Sequence, residues 1–204
     1  MLKLTAKNYK TVVVPSRRTW PKYSTQLLNI ATQNSQALRA KFVGSMKETW
    51  LEMKDKGIPG TLDNWTNYYN GKFGEKNLAE AGKKTYEMIK LMKIGGISEE
   101  MCLDYIKEVI YNKTHMGMGG EEMAVEVVAA HFGQDYRFGT PEEESEGIDA
   151  WIGDHPVQVK PEGSVFKGHV HNHADEDVTL VVKYVPKKMI CYVYNPDFMQ
   201  RSIV

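Results

Sequence analysis

The sequence predicts an α/β (α+β) chain, organised as one domain over residues 1–204, mainly helical over 1–112 and strand-rich over 113–204. Three observations predict it. Apolar residues recur three and four apart through much of the first half, among them Leu27, Leu28, Ile30, Ala31, Leu38, Phe42, Val43, Met46, Trp50 and Met53. Between Gly147 and Pro161 the period changes to two, with Ile148, Ala150 and Ile152 alternating with Asp149 and Trp151, and Val157 and Val159 with Gln158 and Lys160. Two β-branched runs, Val178–Val185 and Met189–Tyr194, then flank Pro186-Lys187-Lys188 and read as a hairpin that extends the sheet.

The first part opens with an irregular segment. Thr11–Val14 is β-prone, and Pro15 and Pro21 bracket Ser16-Arg17-Arg18-Thr19-Trp20, a basic loop able to contact phosphates or to pack as an arm. Tyr23–Met53 reads as mostly helical and ends at Gly57-Ile58-Pro59-Gly60. Thr61 starts a short helix closing near Gly71, and Leu78–Lys93 makes a better one with Ala79, Tyr86, Ile89 and Met92 on one stripe. Ser98, followed by Glu99 and Glu100 where the helix dipole favours acids, caps a helix over Met101–Asn112.

The second part begins with the glycine- and methionine-rich stretch Thr114–Gly120. Glu121 then starts a helix that runs to about Phe132 and stops at Gly133, with Met123, Ala124, Val127 and Val128 as its apolar stripe. A short strand, Asp135–Phe138, leads to two strands turning at Gly153-Asp154.

Composition narrows the classes. No run of about 18 apolar residues and no cleavable leader is present, so no membrane-spanning or exported protein is expected and the cytoplasm is the expected location. Cys102 and Cys191 are too few for a disulfide framework, lack metal-ligand spacing, and read as buried thiols. Net charge is zero, yet residues 1–60 hold eleven Lys and Arg against Glu48, Glu52 and Asp55, an excess of eight. That segment either faces a polyanion or is an ordinary solvated basic surface. The acidic run Glu142, Glu143, Glu144 and Glu146 restores the balance and would repel DNA unless screened.

The chemistry concentrates in G-I-D-A-W-I-G-D-H-P-V-Q-V-K-P. Asp149, Gln158 and Lys160 share the face opposite the aliphatic residues. A carboxylate, an amide oxygen and an ammonium on adjacent strands can hold a hard divalent cation and stabilise charge on a phosphate under attack. This is the layout of the PD-(D/E)xK nucleases, with Gln158 standing where Glu or Asp is commoner; the plainer alternative is a hairpin whose polar face is merely wet. Glu121 is the first candidate for a further acid, because Ala124 and Val128 share its helical face and pack inward, with Glu122 second and Glu126 third. The alternative is that all three are solvated acids at a helix start. His169, His171 and His173 alternate on a β-prone stretch, and either bind zinc or form a polar edge facing DNA or solvent.

The stretch A-T-Q-N-S-Q-A-L-R-A-K-F-V-G-S-M from Ala31 to Met46, the glycine-led Glu121 helix and the Asp149 hairpin together resemble the MjaI-type family of type II restriction endonucleases, over about residues 25–162. The resemblance implies a PD-(D/E)xK restriction-endonuclease-like core with a central mixed sheet flanked by helices. It implies a homodimeric, magnesium-dependent endonuclease acting on double-stranded DNA at a short palindrome, CTAG for the family's type member. Residues 1–112 would then be the DNA-binding and dimerisation part and 113–204 the catalytic core. Asp149, Gln158 through its carbonyl oxygen, the Val159 backbone carbonyl and Glu121 would hold Mg2+, and Lys160 would act at the transition state. Base readout falls to Asn34, Gln36, Arg39, Lys41 and the loop at Arg17 and Arg18. A structure-selective or repair nuclease with the same core, and a DNA-binding module with a degraded site, are the alternatives.

Overall fold

The computed structural model describes residues 1–6, 19–162, 180–185 and 188–194. It has two compact units, one bounded as Met1–Lys10 with Gly119–Val204 and the other as Thr11–Met118.

The first unit is built on a six-stranded mixed sheet. Its spatial order is β1 (Leu2–Thr5), β6 (Ile190–Val193), β5 (Leu180–Val185), β4 (His155–Pro161), β3 (Ala150–Ile152) and β2 (Tyr136–Phe138). Every neighbouring pair is antiparallel except β4 with β5, which run parallel. Ala150, Ile152, Val157, Val159, Leu180, Val182, Cys191 and Val193 line one face and pack with Met123, Ala124, Val125, Val128 and Ala129 of helix α6 (Thr114–Phe132). Each Leu, Ile or Val wholly removed from water there contributes about 1.5–3 kcal/mol. Burial pushes the Cys191 thiol up to about 12, which makes it a packed apolar group and a poor nucleophile.

Two features of this unit depart from the sequence reading. The opening residues are not irregular: Leu2–Thr5 pairs with β6, Lys3 opposite Tyr192. Nor does Glu121 begin its helix, because Thr114–Gly120 already forms the first turns of α6. Glycines lower helix propensity, so the segment reads locally as a loop, but tertiary packing overrides that preference. At Gly120 a Cβ would lie 2.3 Å from Cε2 of Tyr184, so only glycine lets the helix backbone meet that ring. Glu121, Glu122 and Glu126 therefore sit inside the helix, where stabilisation by a helix N-terminus does not apply.

The second unit is helical. Tyr23–Met53, which reads as mostly helical, forms three helices: α1 (Ser24–Ser35), α2 (Ala40–Val43) and α3 (Met46–Asp55). Thr61 accepts a hydrogen bond from the Asn64 N–H and caps α4 (Leu62–Leu91), which kinks at Gly74, a residue at φ 73°. Ser98 caps α5 (Glu99–Lys107) through the Met101 N–H, and a π-helical stretch, Glu108–Lys113, leads into α6. One buried cluster centres on Trp65 and Tyr69, whose indole and phenol donate to the carbonyls of Ile110 and Val43 at 2.8 and 2.9 Å. A second gathers Leu28, Ala31, Ile89 and Cys102, and burial pushes the Cys102 thiol up to about 11. Among the described residues no helix is long and apolar enough to cross a membrane.

Candidate active site

The predicted hairpin forms, with Ala150 opposite Val157, Trp151 opposite Pro156 and Ile152 opposite His155. Beyond Ala150 the two strands part. The Asp149 N–H still donates to the Val157 carbonyl at 2.9 Å. Further along β4 the Asp149 side chain replaces the missing backbone: its Oδ2 accepts the Val159 N–H at 2.7 Å and the Lys160 ammonium at 3.1 Å. The N–H and C=O of one strand residue lie on the same edge, so the Val159 carbonyl points to this same opening.

The pair is shielded, with the Asp149 and Lys160 side chains 17% and 34% exposed. Charge-assisted bonds in such a setting are stronger than those of a fully solvated pair and hold the carboxylate in one rotamer. Both recorded contacts load Oδ2, and among the described residues no hydrogen bond reaches Oδ1. The strand break thus presents one oxygen of a fixed carboxylate. Gln158 is 5% exposed, and its Nε2 lies 3.4 Å from the place a Cβ on Gly147 would take.

Two tyrosines sort the three candidate glutamates. Tyr184 of β5, packed on Gly120, has its phenol pushed up to about 12, first by burial and then by the negative charges of Glu121 and Asp149. Glu126, one turn beyond Glu122, accepts the Tyr136 O–H at 2.6 Å, and the Tyr136 phenol is raised by burial and by Glu126 and Glu122. Burial raises the Glu126 carboxyl above its ordinary range, against the lowering effect of the Tyr136 bond. Glu126 is thus tied to the far strand β2 through Tyr136.

A second acid cluster escaped the sequence reading. Thr140 and Glu143 form a reciprocal capping box at α7 (Pro141–Ser145). Glu143 also takes the Arg137 fork on both oxygens, at 2.7 and 2.8 Å, and the Trp151 indole N–H at 3.0 Å. Arg137, the Thr140 N–H and Trp151 hold its carboxyl down at about 2. The signal was present as T-P-E-E, a hydroxyl residue three before an acid, within what reads as a plain charge run.

Of the base-reading candidates, Asn34, Gln36, Arg39 and Lys41 are exposed around the end of α1 and the start of α2. Asn34 donates to the Ile30 carbonyl at 2.9 Å, and the Lys41 ammonium lies over Phe42. Arg17, Arg18, His169, His171 and His173 lie outside the described residues. Among those described, no three His, Cys, Asp or Glu side chains are grouped to hold a metal ion. At the strand break Asp149 offers a carboxylate oxygen beside the Val159 N–H and Lys160, and oxygen donors of low total charge suit a hard cation retaining several waters.

The MjaI restriction endonuclease family matches residues 25–194. The type II restriction enzyme MthZI of Methanothermobacter thermautotrophicus is 35% identical over 144 residues, covering 70% of this chain and 69% of that protein. The type II restriction enzyme MjaI of Methanocaldococcus jannaschii is 29% identical over 186 residues, covering 84% and 83%. No solved structure matches. With the family match spanning most of the chain, Asp149 hairpin included, this protein belongs to the MjaI restriction endonuclease family, a family of type II site-specific deoxyribonucleases.

Proposed function

We propose that the chain is a PD-(D/E)xK endonuclease that uses Mg2+ to hydrolyse phosphodiester bonds of double-stranded DNA at a short palindrome, with CTAG as the first site to test. The observation that carries this reading is the Asp149 carboxylate, fixed through one oxygen by the Val159 N–H and the Lys160 ammonium at the point where β3 leaves β4.

Asp149 Oδ1, the Gln158 amide oxygen and the Val159 carbonyl would hold the ion, with Glu121 as the further acid. When bound, Mg2+ supplies positive charge against the phosphate and acidifies a water. Lys160 has a second task besides holding Asp149. Its ammonium is a donor that can swing to the attacking water or to the phosphate oxygens as they gain charge. Gln158 removes one negative charge from the site relative to the usual acid, which favours one tightly held ion over a symmetric pair.

A two-fold dimer matches a palindrome, because each copy presents one site to one strand. We assign the helical part to DNA docking and dimerisation, with Asn34, Gln36, Arg39, Lys41 and the Arg17-Arg18 loop as the contacts. The cytoplasm, where DNA is met, is the proposed location.

Digestion of a defined plasmid tests the reading. Discrete bands in Mg2+ that vanish in EDTA, and that vanish when CTAG is removed, are expected. A smear would make the chain a structure-selective nuclease, and intact plasmid in Mg2+ would make it a DNA-binding module with a degraded site.

A further inference from the structure

The sheet face opposite the α6 core carries a charged row set by strand register. In the parallel pair, Lys160 of β4 lies opposite Lys183 of β5. Lys183 in turn lies opposite Tyr192 of β6, and Tyr192 opposite Lys3 of β1. Residues directly opposite one another point to the same side of a sheet, so these four form one line across four strands. With strands about 4.8 Å apart, the line is about 14 Å long. Lys3 is exposed, and Lys160, Lys183 and Tyr192 are half-buried. Beside the row, Tyr194 is 45% exposed and the Lys183 ammonium lies over its ring, 5.3 Å from the centroid.

The sheet sets Lys160, bonded to Asp149, beside Lys183 on its central strands. Glu162, which alternation brings to this face, is exposed beyond the end of β4. Three ammoniums in a line that starts at the proposed catalytic lysine match a chain of phosphates, which is also one line of like charges. The flanking phenols add hydrogen-bond donors for phosphate oxygens.

We propose that Lys183, Tyr192 and Lys3 form a track for the DNA backbone, binding phosphates that flank the bond addressed by Lys160. The inference rests on the reading of the chain as a DNA nuclease and adds a surface in the sheet unit to the docking residues assigned above. The track recognises phosphates and not bases, so it acts alike on every sequence.

Affinity measured in EDTA, which stops cleavage, as a function of salt tests it with two short duplexes, one carrying CTAG and one lacking it. Each phosphate contact contributes about 0.9 to the slope of log affinity against log salt. Lys3→Gln with Lys183→Gln should lower the slope by about two on both duplexes, and Lys3→Arg with Lys183→Arg should restore it. Should the double variant misfold, Lys3→Gln alone, at the exposed edge strand, should lower the slope by about one. Unchanged slopes in a protein whose wild type binds DNA salt-dependently would overturn the track and leave the nuclease reading standing. A wild type that binds neither duplex would overturn both.

Discussion

Asp149 and Glu143 are two carboxylates of the same sheet unit, each bonded to a cation and to a backbone N–H, and they do different work. Glu143 is saturated. Its two oxygens serve the Arg137 fork, the Thr140 N–H and the Trp151 indole, tying β2, α7 and β3 together. Asp149 takes the Val159 N–H and the Lys160 ammonium on one oxygen, at a place where two strands separate. An acid with every lone pair engaged is a clasp. One held firmly on one side only keeps a ligand position, and its lysine, bound through a single contact among the described residues, can exchange partners. Chemistry is therefore assigned to Asp149 and architecture to Glu143.

The largest effect that would sharpen this contrast is Asp149→Ala. Removing the fixed carboxylate should lower Mg2+-dependent cleavage by at least about a hundredfold, the scale of losing one transition-state group, as read by plasmid digestion. The sheet should survive, with the Val159 N–H turning to water.

Gly120→Ala should come next. The new methyl would meet the Tyr184 ring at 2.3 Å, so either the helix or the ring must move, at a cost of about 1–3 kcal/mol in thermal unfolding. Because Gly120 adjoins Glu121, the proposed further acid, cleavage should fall as well. Unchanged stability would mean that the contact at Gly120 is not close packed.

A smaller effect is expected at Gln158. As a neutral ligand it should tolerate Gln158→Glu with activity kept and Mg2+ bound more tightly, whereas Gln158→Ala should raise the Mg2+ concentration needed for half-maximal cutting. Identical Mg2+ titrations for all three proteins would remove Gln158 from the site.

These positions were unequally legible in the sequence. The hairpin, its turn and the shared face of Asp149 and Lys160 could be read because alternation is a local property and the two residues sit within a dozen positions of one another. The Thr61 and Ser98 caps were legible for the same reason. What could not be read depended on distant partners. Leu2–Thr5 is too short to announce itself, and its pairing strand lies at the other end of the chain. The early start of α6 was hidden by glycines whose use is explained only by Tyr184, more than sixty residues later. The apolar stripe points to Glu121 first, but it could not say what Glu122 and Glu126 face. That needed Tyr136.

The smallest effect belongs to the clasp. Glu143→Gln should lower the melting temperature slightly at neutral pH. Its carboxyl is depressed from the ordinary 4.5 to about 2, so the stability it contributes is present above about 4.5 and is lost as pH falls toward 2. The wild type and the variant should therefore converge in acid. A difference that widened in acid would reverse the sign and remove Arg137 as its partner.

The contrast is tested most directly by the cleavage rates of Lys160→Ala and Glu143→Gln on one CTAG-bearing plasmid in saturating Mg2+, with DNA affinity measured alongside. Lys160→Ala should lose cutting while affinity stays within about a few-fold, since the lysine acts on charge that develops only in the transition state. Glu143→Gln should cut at close to the wild-type rate. Undiminished cutting by Lys160→Ala, or its loss in Glu143→Gln at a temperature where that variant remains folded, would contradict the assignment of chemistry to the Asp149 hairpin.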